Sequence, residues 1–327
     1  MQYALYIYQF EVMELGKDSP TLPFSEEIVS LTPREAFAQK DALLDQLLLD
    51  DYLTIKDRPD SPSAEMPQRP SLLHFSYNRR KPLYHQYASR PEGSLAILEL
   101  ARLSSVSHRP RAFQPKADRE DDYKSLHLII DGRGTRQHVA IEVKPSVMST
   151  DAVAQSLERA LCLAFEHYGL RVRVTSVDDS RHFWHLVSNR RRFPQGFKRL
   201  RVEFPQINSA EVYEGLNEIN LGIHRKHFGT NLNITHEAPQ GEEIPFDEND
   251  VYQKKFMDIA CCYGTRVDLL PHSGRAINIK GKDCVKTGEV PDGIMQQLRE
   301  SQTSPGLFDT DAKSKLMEYM DKLYTRQ

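Results

Sequence analysis

Cysteine and tryptophan are scarce in this chain, at four and one among 327 residues. Four cysteines are too sparse for a disulfide framework, which excludes the small stapled secreted scaffolds and fits a reducing compartment. Cys261 and Cys262 are adjacent, whereas paired zinc ligands lie about two to four residues apart, so the cysteines read as buried thiols. Long apolar runs are missing too. No stretch reaches the roughly 18 consecutive apolar residues that span a bilayer, and the start of the chain lacks a basic-then-apolar secretory layout. No membrane role is expected, and a cytoplasmic location is. An excess of either charge is also absent: the net charge is -3 and the pI is near 6.5, so any pull toward nucleic acid falls to local patches. Asp131-Gly-Arg-Gly-Thr lacks the Gly-Lys-Ser/Thr ending of a phosphate-binding loop and the full dinucleotide fingerprint, and no nucleophile-elbow or kinase signature is present.

What remains is a globular composition. With 39% hydrophobic and 27% charged residues, the chain has enough apolar content to fold throughout, which argues against wholesale disorder. A single core usually stops growing at roughly 250 to 300 residues, so at least two cores are expected. Tyr3 to Val12 is aromatic and β-branched and reads as a first strand. Thr32, Pro33 and Glu35 form a helix start, and the helix would bury Phe37, Leu44, Leu47 and Leu48. Residues 57 to 70 carry four prolines and read as a loop. Strands are expected near 72 to 77 and 95 to 103, and 109 to 121 reads as a linker.

Beyond it, one pattern occurs twice. A hairpin at 127 to 144 precedes a helix with Ser149, Thr150 or Asp151 as cap and Val153, Leu157, Leu161, Ala164, Phe165 and Tyr168 at helical spacing. Gly169 stops it, and residues 171 to 177 alternate as a strand. Strands at 199 to 204 and 231 to 237 precede a second helix, with Asn249 or Asp250 as cap and Tyr252, Phe256, Ile259 and Tyr263 on one face. Tyr263-Gly-Thr-Arg-Val then repeats the Tyr-Gly-x-Arg-Val of 168 to 172. Residues 274 to 280 read as an added strand, and 287 to 310 show little pattern. Asp309 or Thr310 starts a final helix whose stripe of Leu316, Tyr319, Met320 and Leu323 should pack within or between subunits. The expected architecture is α+β: an N-terminal mixed domain (1–115), a core of two β-β-α-β units that can share one sheet (116–290), and a C-terminal arm with an amphipathic helix (291–327).

The hairpin holds Asp131, Glu142 and Lys144. Two carboxylates can hold a divalent metal and a lysine can orient the attacking water, so these are the types needed to hydrolyse a phosphodiester. The hairpin, helix and strand over residues 125 to 177 resemble part of the PD-(D/E)xK nuclease core. That resemblance implies catalysis by Asp131, Glu142 and Lys144, with Asp131 and Glu142 as ligands of Mg²⁺ or Mn²⁺ and Gln155 in support. Asp131 departs from the family pattern, since it ends its strand and Ile130 stands where a proline is common. The structural alternative has Val139, Ile141 and Val143 facing a core while Glu142 and Lys144 are solvated; no cofactor is then expected.

The segment 180 to 201 gathers Arg181, Arg190, Arg191, Arg192, Lys198, Arg199 and Arg201, with Phe183, Trp184, Phe193 and Phe197 interleaved. Cations can neutralise phosphates and an aromatic such as Trp184 can stack a base, which makes this the best candidate for DNA or RNA contact. The alternative is a solvated surface with core aromatics, and an anionic protein partner would use the same charges. Arg190 to Arg192 should lie in an exposed turn. His224 and His227, like His182 and His185, read as surface histidines. The layout as a whole resembles uncharacterised bacterial α+β proteins of phage-defence and mobile-element loci, which implies nucleic-acid work in antiviral defence. A metal-dependent nuclease and an oligomeric protein-protein adaptor are the rival readings.

Overall fold

Gln2–Val12 forms β1, the strand on which the larger sheet is organised. The structure, a computed structural model, describes residues 1–12, 31–40, 43, 76–78, 81–89, 95–108, 118–134, 136–165, 168–204, 232–280, 284–302 and 310–324. The remaining strands are β2 (Ser76–Asn78), β3 (Lys81–Ser89), β4 (Leu95–His108), β5 (Asp118–Asp131), β6 (His138–Glu142), β7 (Leu170–Ser176), β8 (Phe197–Phe204), β9 (Leu232–Glu237), β10 (Arg266–Pro271), β11 (Ile277–Asn278) and β12 (Thr287–Glu289). The described helices are α1 (Pro33–Ala38), α2 (Thr150–Phe165), α3 (Ser180–Ser188), α4 (Val251–Tyr263), α5 (Asp292–Gln302) and α6 (Thr310–Tyr324). The protein is α+β, with antiparallel sheets and helices packed on them.

The first sheet has eight strands in the order β12-β1-β6-β5-β4-β3-β2, and β7 also pairs with β1. One flank of β1 takes β6 along residues 3–7; the other takes β12 at 2–4 and β7 at 6–12. Both faces are covered. Ala4, Tyr6, Tyr8 and Phe10 turn toward Leu128, Ile130, Val139 and Ile141 and the α2 residues Val153, Leu157, Leu161 and Phe165. Tyr3, Leu5 and Ile7 turn the other way, toward Ile97, Ile129 and Ala140 and residues of α5 and α6. Burial on both sides is why the paired ends of β5 and β6, Leu126–Ile130 and Val139–Ile141, are apolar except for His127.

Among the described residues, the second sheet, β11-β10-β8-β9, packs one face against a core. Phe197, Leu200, Val202 and Phe204 of β8 pack with Val267, Leu269, Phe183, Trp184 and Ile259. Arg199 and Arg201 of β8 and Thr235 and Glu237 of β9 are exposed on the other side.

The two β-β-α-β units are therefore present but do not share a sheet: β5-β6-α2-β7 lies in the first and β8-β9-α4-β10 in the second. They also close differently. β10 pairs directly with β8, whereas β1 intervenes between β7 and β6. The division expected near residue 115 falls between two strands that pair with each other, since β4 and β5 run side by side from Leu95↔Asp131 to His108↔Asp118. Residues 118–121, read as linker, are strand. Residues 287–302, read as patternless, supply β12 and α5. The loop 57–70 and Leu44, Leu47 and Leu48 lie outside the described residues.

Local caps follow the sequence. Thr32 and Glu35 form a reciprocal capping box around Pro33, Ser149 Oγ accepts from Ala152 N at the start of α2, and Asp250 caps α4. The stripe of α6 packs within the chain: Leu316 and Met320 are fully buried, and Tyr319 and Leu323 rest on the same core. In α4 the inward residues are Met257, Ile259, Ala260 and Cys261, while Tyr252, expected on that face, is 74% exposed in the first turn. All four cysteines are free thiols. Among the described residues no helix is long and apolar enough to cross a membrane.

Candidate functional site

The register of the first hairpin separates its acids. Asp131 pairs with His138 and Leu128 with Ile141, so Glu142 comes level with His127. Asp131 and Glu142 are then four ladder positions apart, roughly 13 Å at the rise of a strand. One ion needs its oxygen ligands within about 2.0 to 2.6 Å.

Each acid is moreover engaged elsewhere. Asp131 is fully buried. Its Oδ1 accepts from Arg133 N and Nε at 3.1 and 2.8 Å, and its Oδ2 accepts from Arg133 Nη2 at 2.7 Å. Arg133 continues to Asp321 of α6 at 3.0 Å, and Arg136 reaches the same carboxylate at 2.9 Å. Glu142 Oε2 accepts from His127 N and pairs with His127 Nδ1, both at 2.8 Å. Burial pushes the Glu142 carboxyl up, but the bonds from His127 and the charges of His127 and Lys144 outweigh it and hold it below the usual carboxylate range. Lys144 Nζ donates to Ser125 O at 2.7 Å. Asp131, Glu142 and Lys144 thus do not converge on one ion, and Asp131 and Glu142 do not form a shared metal site. The wet-face alternative also needs correction. Val139, Ile141 and Val143 do face a core, but Glu142 is buried, because α5 and α6 roof the face it points to. Among the described residues, no group of three or more His, Cys, Asp or Glu side chains is placed to hold a metal.

The basic segment is divided by the core. Asp179 caps α3, and Phe183, Trp184, Phe193 and Phe197 enter the second core. Trp184 is 5% exposed, so it anchors the fold and offers no face to a base. Between these anchors, Arg190, Arg191 and Arg192 are all exposed in a turn, as their adjacency and Pro194 imply. Most of the arginines have acidic neighbours. Arg181 pairs with Asp179 and Arg190 with Glu243; Arg199 meets Glu237 at 2.8 Å and Arg201 meets Glu203 at 2.6 Å. Arg191 and Arg192 have no acidic partner among the described residues, and the Arg192 guanidinium lies 5.3 Å from the Phe193 ring centroid. Lys198 is half-buried on β8. His182 and His185 are exposed; His224 and His227 lie outside the described residues.

Sequence reasoning passed over two ionic groups. Arg133 reads as an ordinary turn residue, yet it ties the hairpin to α6. At the junction of the two sheets Asp178 is buried, and Lys280 Nζ stands 3.5 Å from its Oδ2. The same ammonium donates to Ser176 O at 2.8 Å and Cys261 O at 2.5 Å. Both Asp178 oxygens lack a well-formed hydrogen bond, and burial pushes this carboxyl up against the opposing pull of Lys280. An acid-acid step after β7 and a lysine after β11 mark these positions, but only the fold brings them together.

Compared with known proteins, the chain matches no family model, no curated protein and no solved structure.

Proposed function

We propose that this protein engages the phosphate backbone of DNA or RNA through the turn at Arg190–Arg192, together with Arg181, Lys198, Arg199 and Arg201 of the same segment. The observation that carries this reading is the pair Arg191 and Arg192, exposed, adjacent and without an acidic partner among the described residues. Such guanidiniums are free to fork onto phosphate oxygens. With the aromatics committed to the core, contact is expected to go to phosphates and to be indifferent to base sequence. A role in antiviral defence or mobile-element biology belongs to the same proposal and rests on resemblance of layout alone.

Fluorescence anisotropy with labelled single-stranded and duplex oligonucleotides across a salt series tests it. Replacing Arg191 and Arg192 by alanine should weaken binding alike for unrelated sequences and reduce the slope of log affinity against log salt by about 1.4 to 1.8, at about 0.7 to 0.9 per lost phosphate contact. An unchanged slope removes the turn from the site. A parent chain that binds no oligonucleotide at low salt removes the reading, and the protein-adaptor function then takes precedence.

A further inference from the structure

Beside Arg191 and Arg192 the same turn forms an anion seat that the chain itself fills. Gly196 has φ +66°, and the Glu243 carboxylate lies so close over it that a Cβ there would come 1.6 Å from Glu243 Oε2. Any side chain at 196 would occupy the space of that carboxylate. Arg190 Nη1 donates to the same oxygen. His272 closes the third side: its backbone N–H donates to Gly196 O at 3.3 Å, and its ring Nε2 lies 2.9 Å from the Glu242 carbonyl oxygen. The bond from Arg190 and the nearby His272 hold the Glu243 carboxyl below its usual range.

The Arg190 guanidinium, with the His272 ring beside it and the space that Gly196 leaves free of a Cβ, suits a phosphate oxygen as well as a carboxylate, while Gly196 N donates to Phe193 O and gives the anion no bond. The side chains of Arg190 and Glu243 are 59% and 37% exposed, so their pairing is weak and open to exchange with an incoming anion. The backbone around Glu243 is fixed on both sides, by Glu242 N to Pro239 O at 3.0 Å and Ile244 N to Phe197 O at 2.8 Å. Exchange therefore needs only a side-chain rotation.

We infer that the Arg190–Gly196–His272 seat is a phosphate subsite, with Glu243 as its built-in competitor. In the free chain the carboxylate occupies the seat; a ligand phosphate takes its place on binding. Within the nucleic-acid reading, on which this inference rests, the seat extends the Arg191–Arg192 contact by one phosphate, and Glu243 lowers the apparent affinity by the fraction of seats it fills.

The experiment uses the full chain with Glu243→Gln, Glu248→Gln, and Glu243→Gln combined with Arg190→Ala, after matching melting temperatures. Glu248 is exposed on the same acidic loop, so its variant removes an equal charge away from the seat. The probes are a labelled single-stranded oligonucleotide, followed by anisotropy, and inorganic pyrophosphate, followed by calorimetry. Glu243→Gln should bind the oligonucleotide about threefold to fivefold more tightly than the parent. Glu248→Gln should change it less, and adding Arg190→Ala should erase the gain. If the parent binds but Glu243→Gln gains no more than Glu248→Gln, the subsite is overturned and the proposed function stands. If no chain binds the oligonucleotide while Glu243→Gln binds pyrophosphate more tightly than the parent, the subsite stands for free phosphate and the nucleic-acid reading falls. Binding of neither probe by any chain overturns both.

Discussion

In the β5-β6-α2-β7 unit both faces of the hairpin are roofed, and Asp131, Glu142 and His127 lie inside with their partners. In the β8-β9-α4-β10 unit, among the described residues, one face has no packed cover, and Arg199, Arg201 and the turn at Arg190–Arg192 are exposed. The two units share an order of elements and a sequence at the end of their helices, yet they assign charge to opposite tasks. In the first, charge sits under helices and ties them down: Arg133 joins the hairpin to Asp321 of α6, and Tyr324 adds a ring stacked on His138 at 3.7 Å and a hydroxyl that reaches Tyr6 O and Val139 O. In the second, charge lies in half-exposed ion pairs at the surface, such as Arg190 with Glu243 and Arg199 with Glu237.

The comparison is broken most severely by removing Arg133. Arg133→Met strands the fully buried Asp131, and the loss of one partner from a buried pair should cost about 3 to 5 kcal/mol. Urea unfolding measures it. A loss below about 1 kcal/mol would mean that the hairpin charges are as dispensable as surface ones.

A smaller effect is expected at Glu142 and depends on pH. Its folded carboxyl titrates below the usual 4.5, so the stability it contributes is present above that value and is lost as pH falls through the lower folded value. Glu142→Gln should therefore be about 1 to 3 kcal/mol less stable than the parent at about pH 7. That difference should shrink as pH falls through the lowered folded value, where the parent carboxyl takes up its proton. A difference constant across that range would separate Glu142 from the acid sensitivity of the fold.

Local order was legible where one segment decides it. The capping box at Thr32 and Glu35, the apolar face of α2 and the exposure of three adjacent arginines before Phe193-Pro194 need no distant partner. What escaped depends on remote chain. The wet face expected for Glu142 disappears because β1 pairs along β6 and two C-terminal helices cover the sheet. Helix α5 is mostly polar, and its Ile294, Met295 and Leu298 acquire meaning only against Tyr3 and Leu5. The partner of Arg190 lies 53 residues downstream. The repeated Tyr-Gly-x-Arg-Val is instructive in a different way. Gly169 has φ +68°, a left-handed stop, whereas Gly264 has φ -65° and is required because a Cβ would come 2.5 Å from Ala260 O. One five-residue pattern thus serves two geometries, and the match does not by itself indicate duplication.

The most direct test of this division of labour measures stability and oligonucleotide affinity together, on Glu142→Gln and on Arg191→Ala/Arg192→Ala. The account predicts crossed results. Glu142→Gln loses stability and keeps the parent's affinity and salt slope, while the arginine pair keeps stability to within about 1 kcal/mol per residue and loses affinity with a flatter slope. Parallel results would contradict it, above all a Glu142→Gln chain that is as stable as the parent but fails to act on or bind nucleic acid.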